Sequence, residues 1–308
     1  MRAITDFVRA SELPAALKEE LAGDYILQKH ALYVLLPTWL APPFGPQVRA
    51  AQVEQLSFSF YYYFRFLLVI DNMLDAASTG REAASPAATQ RLLTYCDLYE
   101  RAVRGLAALF GPEDPFWAQL DACKMQYVAA NLEEKERSAA REPFSLEAFE
   151  TMAAGKSVIC NFIVYALSGM GGTSSPVEPL LACLRHLHIA LQCMDDVDDF
   201  RTDWVEGQYT YAHAQVEAYL AGEGLDARAM RADQVHPYLY TSGTADTLYC
   251  LAQQHFGQAL DLARSFRLDA LVALLTHLVG RCDFYRTDIA VQLTRARQRA
   301  AATLAPAV

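Results

Sequence analysis

The sequence is short of several features that would each point to a particular class of protein. It has 15 glycines and 13 prolines among 308 residues, and 20% of the residues are charged while 53% are hydrophobic. These proportions exclude a disordered chain and a collagen-like repeat, and the length is ample for a large buried core. Basic residues are outnumbered, 26 against 36 acidic ones, so the net charge is −10. We therefore expect no nucleic-acid partner, because such proteins present a basic face.

Paired cysteines and long apolar runs are also missing. The seven cysteines are odd in number and widely spaced, and none belongs to a C-x-x-C pair. This spacing predicts free, mostly buried thiols in a cytoplasmic protein. The first residues lack the apolar core of a secretory signal. The most apolar stretch, residues 31–44, is interrupted by three prolines and is too short to cross a bilayer, so no transmembrane segment is expected.

Helical periodicity runs along most of the chain, and no convincing series of strands is present. Breakers such as the Gly and Pro residues at 111–115 and 169–176 separate the periodic stretches. The predicted helices span residues 12–40, 46–77, 87–110, 115–138, 145–169, 177–203, 244–265 and 268–299. Residues 204–243 are less regular, with short helical pieces. We predict an all-α protein in which residues 1–308 form one large helical bundle.

A first acidic pair ends a strongly apolar predicted helix. Asp71 and Asp75 are four residues apart, which places both carboxylates on one helix face. Seven aromatic residues precede them between positions 58 and 66, and we expect most of these rings to pack in the core. Two carboxylates at this spacing repel each other. The pair either marks the point where the helix emerges into solvent or binds a cation.

A second acidic cluster favours the cation. Five aspartates lie within nine residues, directly after an apolar run, although Asp is a poor helix former. Asp195, Asp199 and Asp203 form a ladder with a spacing of four residues along one helix face. Oxygen ligands without His or Cys suit Mg²⁺ better than Zn²⁺. The predicted metal ligands are Asp71, Asp75, Asp195, Asp196, Asp199 and Asp203.

Two Asp-rich segments in an all-helical chain resemble the class I isoprenoid synthase superfamily. Residues 192–199 are similar to the Q-x-x-D-D-x-x-D motif of chain-elongating prenyl diphosphate synthases, and the glycine-and-tyrosine stretch 207–211 is similar to a segment that follows it there. Asp195, Asp199 and Asp203 also fit the three ligand positions of the metal triad of terpene cyclases. The resemblance implies that both acidic motifs face each other across a bundle of the class I terpenoid synthase type and hold three Mg²⁺ around a diphosphate.

Departures from the motifs decide which branch of the superfamily the sequence favours. The first motif reads Asp71-Asn72-Met73-Leu74-Asp75 where elongating enzymes have D-D-x-x-D, and no Arg-Arg pair follows it. Those basic residues bind the second substrate in elongation. The sequence therefore favours a bacterial-type terpene synthase that ionises one allylic prenyl diphosphate and cyclises or quenches the cation. The alternatives are a prenyltransferase (chain-elongating or head-to-head), a catalytically silent regulatory homologue, and a helical Mg²⁺ phosphohydrolase.

The resemblance also implies roles for individual residues. Catalytic roles fall to Asp71, Asp75, Asp195 and Asp199. Predicted contacts to the substrate diphosphate are Lys156, Gln192, Arg201, Tyr285 and Arg286, with Arg65 as a weaker candidate. Spacing from Asp71 along the helix predicts that Phe64, Leu67 and Leu68 line the cavity for the prenyl chain. A homodimer is a common assembly in the families that the chain resembles.

Overall fold

The structure is a computed structural model that describes residues 2–78 and 86–304, with side chains over 2–73 and 90–299. Over the described ranges the chain forms fifteen α-helices and three short 3₁₀ helices, with no β-strand. The prediction of an all-α protein is confirmed. The helices are α1 Arg2–Ala10, α2 Ala15–Leu21, α3 Asp24–Lys29, α4 Ala31–Leu40, α5 Ala50–Ser78, α6 Pro86–Ala107, α7 Phe116–Ala140, α8 Leu146–Lys156, α9 Asn161–Gly171, α10 Val177–Asp198, α11 Phe200–Glu206, α12 Tyr211–Gly222, α13 Ala232–Thr241, α14 Thr244–Ser265 and α15 Asp269–Leu304.

Several predicted helices are divided in the structure. The prediction for 12–40 was wrong in its continuity, because α2 ends before Gly23, which begins α3, and His30 ends α3 and begins α4. The predicted helix 145–169 is interrupted at Ser157 and the predicted helix 177–203 at Asp199. Short polar side chains and glycine favour helix ends, which explains where the breaks fall. The sequence did not predict α1, and for α12 and α13 it predicted short helical pieces without bounds.

The described chain divides into two compact units. The first unit comprises Met1–Lys124 and Ile159–Leu181. At its centre α5, which has 29 residues, packs against α4 and α6. The consecutive rings from Phe60 to Tyr63 are all buried, as expected for most of this aromatic run. A Cβ atom added to Gly105 of α6 would lie 2.2 Å from Ser59 Oγ, so glycine permits the close approach of α6 to α5.

The second unit comprises Met125–Val158 and Ala182–Val308. Here α14 packs against α15, α13 and α12, and α11 packs against α12 and α13. Several polar side chains are buried in this unit, among them Asp196 and His213. Such groups are stable in a protein interior only when hydrogen bonds compensate for lost hydration. That residues 1–308 form a single domain stays a prediction.

All seven cysteines lie in the described residues and none forms a disulfide. Cys96 and Cys250 are partly exposed and the other five are buried, in agreement with the predicted free thiols. Within the described ranges no single helix is long and apolar enough to cross a membrane, although one broken pair, Leu146–Lys156 with Val158–Gly171, passes that test by length and composition alone.

Candidate functional site

The first acidic segment lies near the C-terminal end of α5, in the first unit. Asp71 is partly exposed, and the side chain of Asp75 lies outside the described residues. Phe64, Leu67 and Leu68 are also partly exposed, whereas most neighbouring rings are buried. Phe64 stacks on Tyr33 with ring centroids 4.3 Å apart. The structure therefore leaves the three predicted lining residues accessible on the same helix as Asp71.

Arg65, the weaker candidate for binding diphosphate, is committed to a buried network. Its side chain is 7% exposed, and Nη2 lies 2.6 Å from Glu20 Oε1. Nη2 also donates to Tyr95 Oη at 3.3 Å, and Tyr95 in turn donates to Glu20. A guanidinium held this way links α5 to α2 and α6. We therefore assign Arg65 to the stability of the first unit.

The acidic ladder in the second unit continues through a break in the helix. Helix α10 ends at Asp198 and α11 begins at Phe200, so Asp199 lies at the junction. Asp199 N nevertheless donates to Asp195 O at 2.8 Å, and Asp203 N donates to Asp199 O at 2.9 Å. These bonds keep the i, i+4 pattern of an α-helix. Asp195, Asp199 and Asp203 are thus brought one turn apart, as the spacing predicts.

The three carboxylates of the ladder have the same sign of charge and repel one another. The protein around the Asp195 carboxyl limits its hydration although the residue reaches solvent, and together with the charge of Asp199 this raises its pKa to about 6. Burial, followed by the charges of Asp196, Asp199 and Asp195, raises the pKa of Asp203 to about 7. The Lys156 ammonium acts in the opposite direction on both groups. A bound cation would relieve this repulsion.

Lys156 is held at the end of α8 by a carboxylate that the sequence did not single out. Its Nζ lies 2.7 Å from Oε1 of Glu134, which is buried on α7. The charges of Lys156 and Glu134 both act on the Asp195 carboxyl, so this pair lies beside the ladder. Directly before Lys156, a Cβ atom on Gly155 would lie 2.6 Å from Ala130 Cβ. The absence of a side chain at 155 therefore sets how closely α8 approaches α7.

Asp196 has a different environment from the ladder residues. It is 2% exposed, and burial raises its pKa to about 7. Oδ1 accepts a hydrogen bond from Gln192 Nε2 at 2.9 Å, and Oδ2 accepts one from Ala212 N, in the first turn of α12, at 3.4 Å. Both oxygens are thus engaged by the protein. This geometry suits a residue that positions the ladder, while the roles of Asp196 as a metal ligand and of Gln192 as a substrate contact stay predictions.

Arg286, the predicted diphosphate contact on the C-terminal helix α15, forms hydrogen bonds within the protein. Arg286 Nε donates to Asp246 Oδ1 at 2.8 Å. Arg281, one turn earlier, donates to Tyr285 Oη at 2.9 Å and is the cation of α15 whose charge acts on Asp198. The sequence missed Arg281, because no local spacing links it to the acidic cluster and only the packing of α15 brings its charge near Asp198. Tyr285 reaches the acidic segment indirectly, since its ring stacks on Tyr249.

Tyr249 lies near the second acidic segment, residues 195–203, and Arg201 lies within it. Tyr249 Oη donates to Asp198 Oδ1 at 3.4 Å, and its ring centroid lies 5.1 Å from that of Tyr285. Arg201 is exposed, and its charge acts on His236 and Asp233 of α13. The structure therefore places Lys156 and Arg281 beside acidic residues of the segment, and it places Arg201 toward α13.

The donor set fits a hard divalent cation that shares its ligand shell with other oxygen donors. In the described part of the chain, no three His, Cys, Asp or Glu side chains stand close enough to hold a metal ion by themselves. The ladder instead offers carboxylates one turn apart, whose mutual repulsion Lys156 opposes. Mg²⁺ usually keeps several waters and binds through a few carboxylates together with substrate phosphate oxygens. The ladder is suited to that mode of binding.

Comparisons with known proteins agree on the fold. The sequence matches no protein-family model, and no curated protein matches it. A polyprenyl synthase from Caulobacter crescentus CB15, solved with calcium and isoprenyl diphosphate, is 18% identical, with 90% of this chain and 92% of that chain covered and a TM-score of 0.70. Geranylgeranyl pyrophosphate synthase from Lactobacillus brevis is 14% identical, with 91% and 95% covered and a TM-score of 0.71. Heptaprenyl diphosphate synthase from Staphylococcus aureus is 13% identical, with 91% and 96% covered and a TM-score of 0.71.

At these identities the likeness establishes the fold. The chain has the all-α isoprenoid synthase fold of the trans-prenyl diphosphate synthases. These three neighbours are prenyl synthases by name, and none of them is named as a terpene synthase.

Proposed function

We propose that the chain is a divalent-metal-dependent enzyme that acts on prenyl diphosphates and transfers an allylic prenyl group to a second isoprenoid substrate. The observation that carries the proposal is the ladder of Asp195, Asp199 and Asp203, with Lys156 beside it. A fold shared with prenyl diphosphate synthases, one of them solved with calcium and isoprenyl diphosphate, supports it. Asp71 and Asp75 are assigned to the same metal-dependent step by their motif.

Ionisation of an allylic diphosphate leaves negative charge on the departing group and positive charge on the prenyl chain. Bound Mg²⁺ would supply charge stabilisation at the diphosphate. Lys156 adds a hydrogen-bond donor whose direction is fixed by Glu134. The ring face of Phe64 can stabilise the allylic cation through its quadrupole, while Leu67 and Leu68 exclude water.

Cyclisation of a single prenyl diphosphate is the second candidate function. Asn72 stands where elongating enzymes have the second Asp of their first motif, and residues 76–81 contain no Arg-Arg pair. Those basic residues bind the second diphosphate in elongation, so their absence specifically favours a one-substrate reaction. Both candidates share the ionisation step and the same acidic ladder.

Product analysis separates the two candidates. Purified enzyme with Mg²⁺ is incubated with geranyl, farnesyl or geranylgeranyl diphosphate, each with and without isopentenyl diphosphate. Prenyl transfer predicts longer linear diphosphates that form only when isopentenyl diphosphate is present, or a head-to-head hydrocarbon. Cyclic hydrocarbon or alcohol formed from one substrate alone would refute prenyl transfer and support cyclisation. Free diphosphate with no carbon–carbon bond formed would contradict both.

Asp199→Ala tests the ladder within either reaction. We expect turnover to fall by at least about 10³-fold, because the central carboxylate of the ladder is lost. The far-ultraviolet circular dichroism spectrum should be unchanged. Asp233→Ala is the matched control, since Asp233 lies on α13 and pairs with Arg231. Retained turnover in Asp199→Ala would refute the ligand assignment.

A further inference from the structure

The first turn of α12 contains a buried histidine whose two ring nitrogens both form hydrogen bonds. His213 has no solvent exposure. Thr210 N donates to His213 Nδ1 at 3.1 Å, so Nδ1 carries no proton. Nε2 lies 2.9 Å from Phe200 O, which can only accept, so Nε2 carries the proton and donates it. The imidazole is therefore neutral: Nδ1 caps the start of α12 through Thr210, and Nε2 joins α12 to α11 through Phe200.

Burial keeps this neutral form in place. It lowers the pKa of His213 to about 4. The ring also packs against Phe200, with centroids 4.4 Å apart, and against Trp204 at 5.4 Å. The contact between α12 and α11 thus combines one directional hydrogen bond with aromatic packing.

The hydrogen bond to Phe200 lies at the helix break within the acidic ladder. Phe200 directly follows Asp199, where α10 ends and α11 begins. A helix can bend at such a break, and bending there would shift Asp203 relative to Asp195. The same turn of α12 donates Ala212 N to Asp196 on the other side of the break. The first turn of α12 therefore holds α10 and α11 on both sides of Asp199.

We propose that His213 is a positioning residue, whose Nε2–H···O=C bond to Phe200 fixes α11 so that Asp199 and Asp203 stay aligned with Asp195. The inference rests on the proposed function for the identity of what the ladder binds, Mg²⁺ with diphosphate. Residues that orient metal ligands without touching the metal typically change metal affinity by about 10- to 100-fold when they are replaced.

Two substitutions separate the two bonds of the imidazole. In His213→Asn the amide oxygen can take the place of Nδ1, so the bond from Thr210 is kept and the bond to Phe200 is lost. In His213→Gln the amide nitrogen can reach the position of Nε2 and donate to Phe200. We expect His213→Asn to bind Mg²⁺ with inorganic diphosphate about tenfold more weakly by calorimetry, and His213→Gln to bind it within about twofold of the wild type. Equal affinities in all three proteins, or equal losses in both variants, would overturn the proposal.

Hydrogen exchange provides a readout that needs neither ligand nor activity. In the unliganded protein, amides of Phe200–Glu206 should exchange about tenfold faster in His213→Asn than in His213→Gln, while α14 stays unchanged in both. Faster exchange throughout α14 as well would indicate general loss of stability and overturn the positioning role. Should the wild type not bind Mg²⁺ with diphosphate, the proposed function fails, and the exchange of α11 still decides the role of His213.

If His213→Asn does not fold, the proposal is tested on the wild-type protein. Nitrogen-15 spectra of the histidine side chains report which ring nitrogen carries the proton. A proton on Nε2 of His213 is expected, and a proton on Nδ1 would overturn the proposal, since Nδ1 could then not accept from Thr210.

Discussion

Asp203 illustrates how burial and repulsion combine at one side chain. Its pKa of about 7 in the folded protein compares with about 4 in an unfolded chain. Between these values the folded state binds more protons than the unfolded state. The contribution of Asp203 to the free energy of unfolding is therefore present below about pH 4 and is lost as the pH rises to about 7.

Asp203→Asn should consequently stabilise the unliganded protein at pH 8 but not at pH 4. After allowance for solvent screening we expect a gain of about 1 kcal/mol, or about 2–4 °C in Tm, at pH 8. Thermal melts at the two pH values measure it. Asp233→Asn is the control, because its ion pair with Arg231 lowers the pKa of Asp233 and no gain is expected. A lower Tm for Asp203→Asn at pH 8 would show that its charge is already compensated.

The sequence predicts the ladder well because its three members follow one local rule, the i, i+4 spacing. It does not predict Glu134, which meets Lys156 from a different helix, 22 residues away. It also cannot separate Arg281 from Arg286, since partners on other helices decide which acidic group each one meets. Local spacing survives folding, whereas the choice of partner depends on tertiary packing.

At the scale of single elements, glycines set how closely helices approach. Gly155→Ala would bring a methyl group to 2.6 Å from Ala130 Cβ, a contact that cannot be relieved by a rotamer change. We expect a loss of about 1–3 kcal/mol from overpacking, together with weaker diphosphate binding, because α8 carries Lys156. Chemical denaturation and calorimetry with Mg²⁺ and diphosphate measure the two effects.

Gly257 provides the matched control for that substitution. It also lies inside a helix, α14, but a Cβ atom there has no neighbour within 4 Å. Gly257→Ala should raise the free energy of unfolding by about 0.5–1 kcal/mol, because alanine favours the helix. A similar gain for Gly155→Ala would contradict the close contact between α7 and α8.

Helix prediction succeeds where one period is sustained and fails where a break is short. The predicted helix 244–265 matches α14 at both ends, and 46–77 corresponds to α5 within a few residues. In contrast, one residue at Asp199 interrupts the next predicted helix without changing its hydrophobic period. The hydrogen bonds from α12 that stabilise this break come from the stretch 204–243, where the sequence predicts short helical pieces but not their bounds.

For the whole molecule, the mutual repulsion of the ladder aspartates predicts that ligands change global stability. Mg²⁺ and inorganic diphosphate together, at about 100 times their Kd, should add about 2.7 kcal/mol and raise Tm by about 4–8 °C. Thermal melts with Mg²⁺ alone, with diphosphate alone and with both measure the effect. Only the combination should give the full rise, and Asp199→Ala should lose most of it. A full rise with diphosphate alone would argue against joint binding at the ladder.

Part of the net charge of −10 can be assigned to two short segments of the chain. The composition predicts that no nucleic acid is bound, but it does not show where the acidity lies. Five of the aspartates lie between residues 195 and 203, and two more lie at 71 and 75. A net negative protein can bind an anionic substrate when a divalent metal ion supplies the positive charge.

The free cysteines make each compact unit accessible to chemical labelling. Burial raises the pKa of Cys123 to about 11 and that of Cys160 to about 12 in the first unit, and it has the same effect on Cys183 and Cys282 in the second. A thiol of this kind reacts with an alkylating reagent only when its surroundings open. Cys96 and Cys250 should react first, one in each unit. The alkylation rates of the buried cysteines then report how often each unit opens. Mass spectrometry measures these rates without an introduced probe.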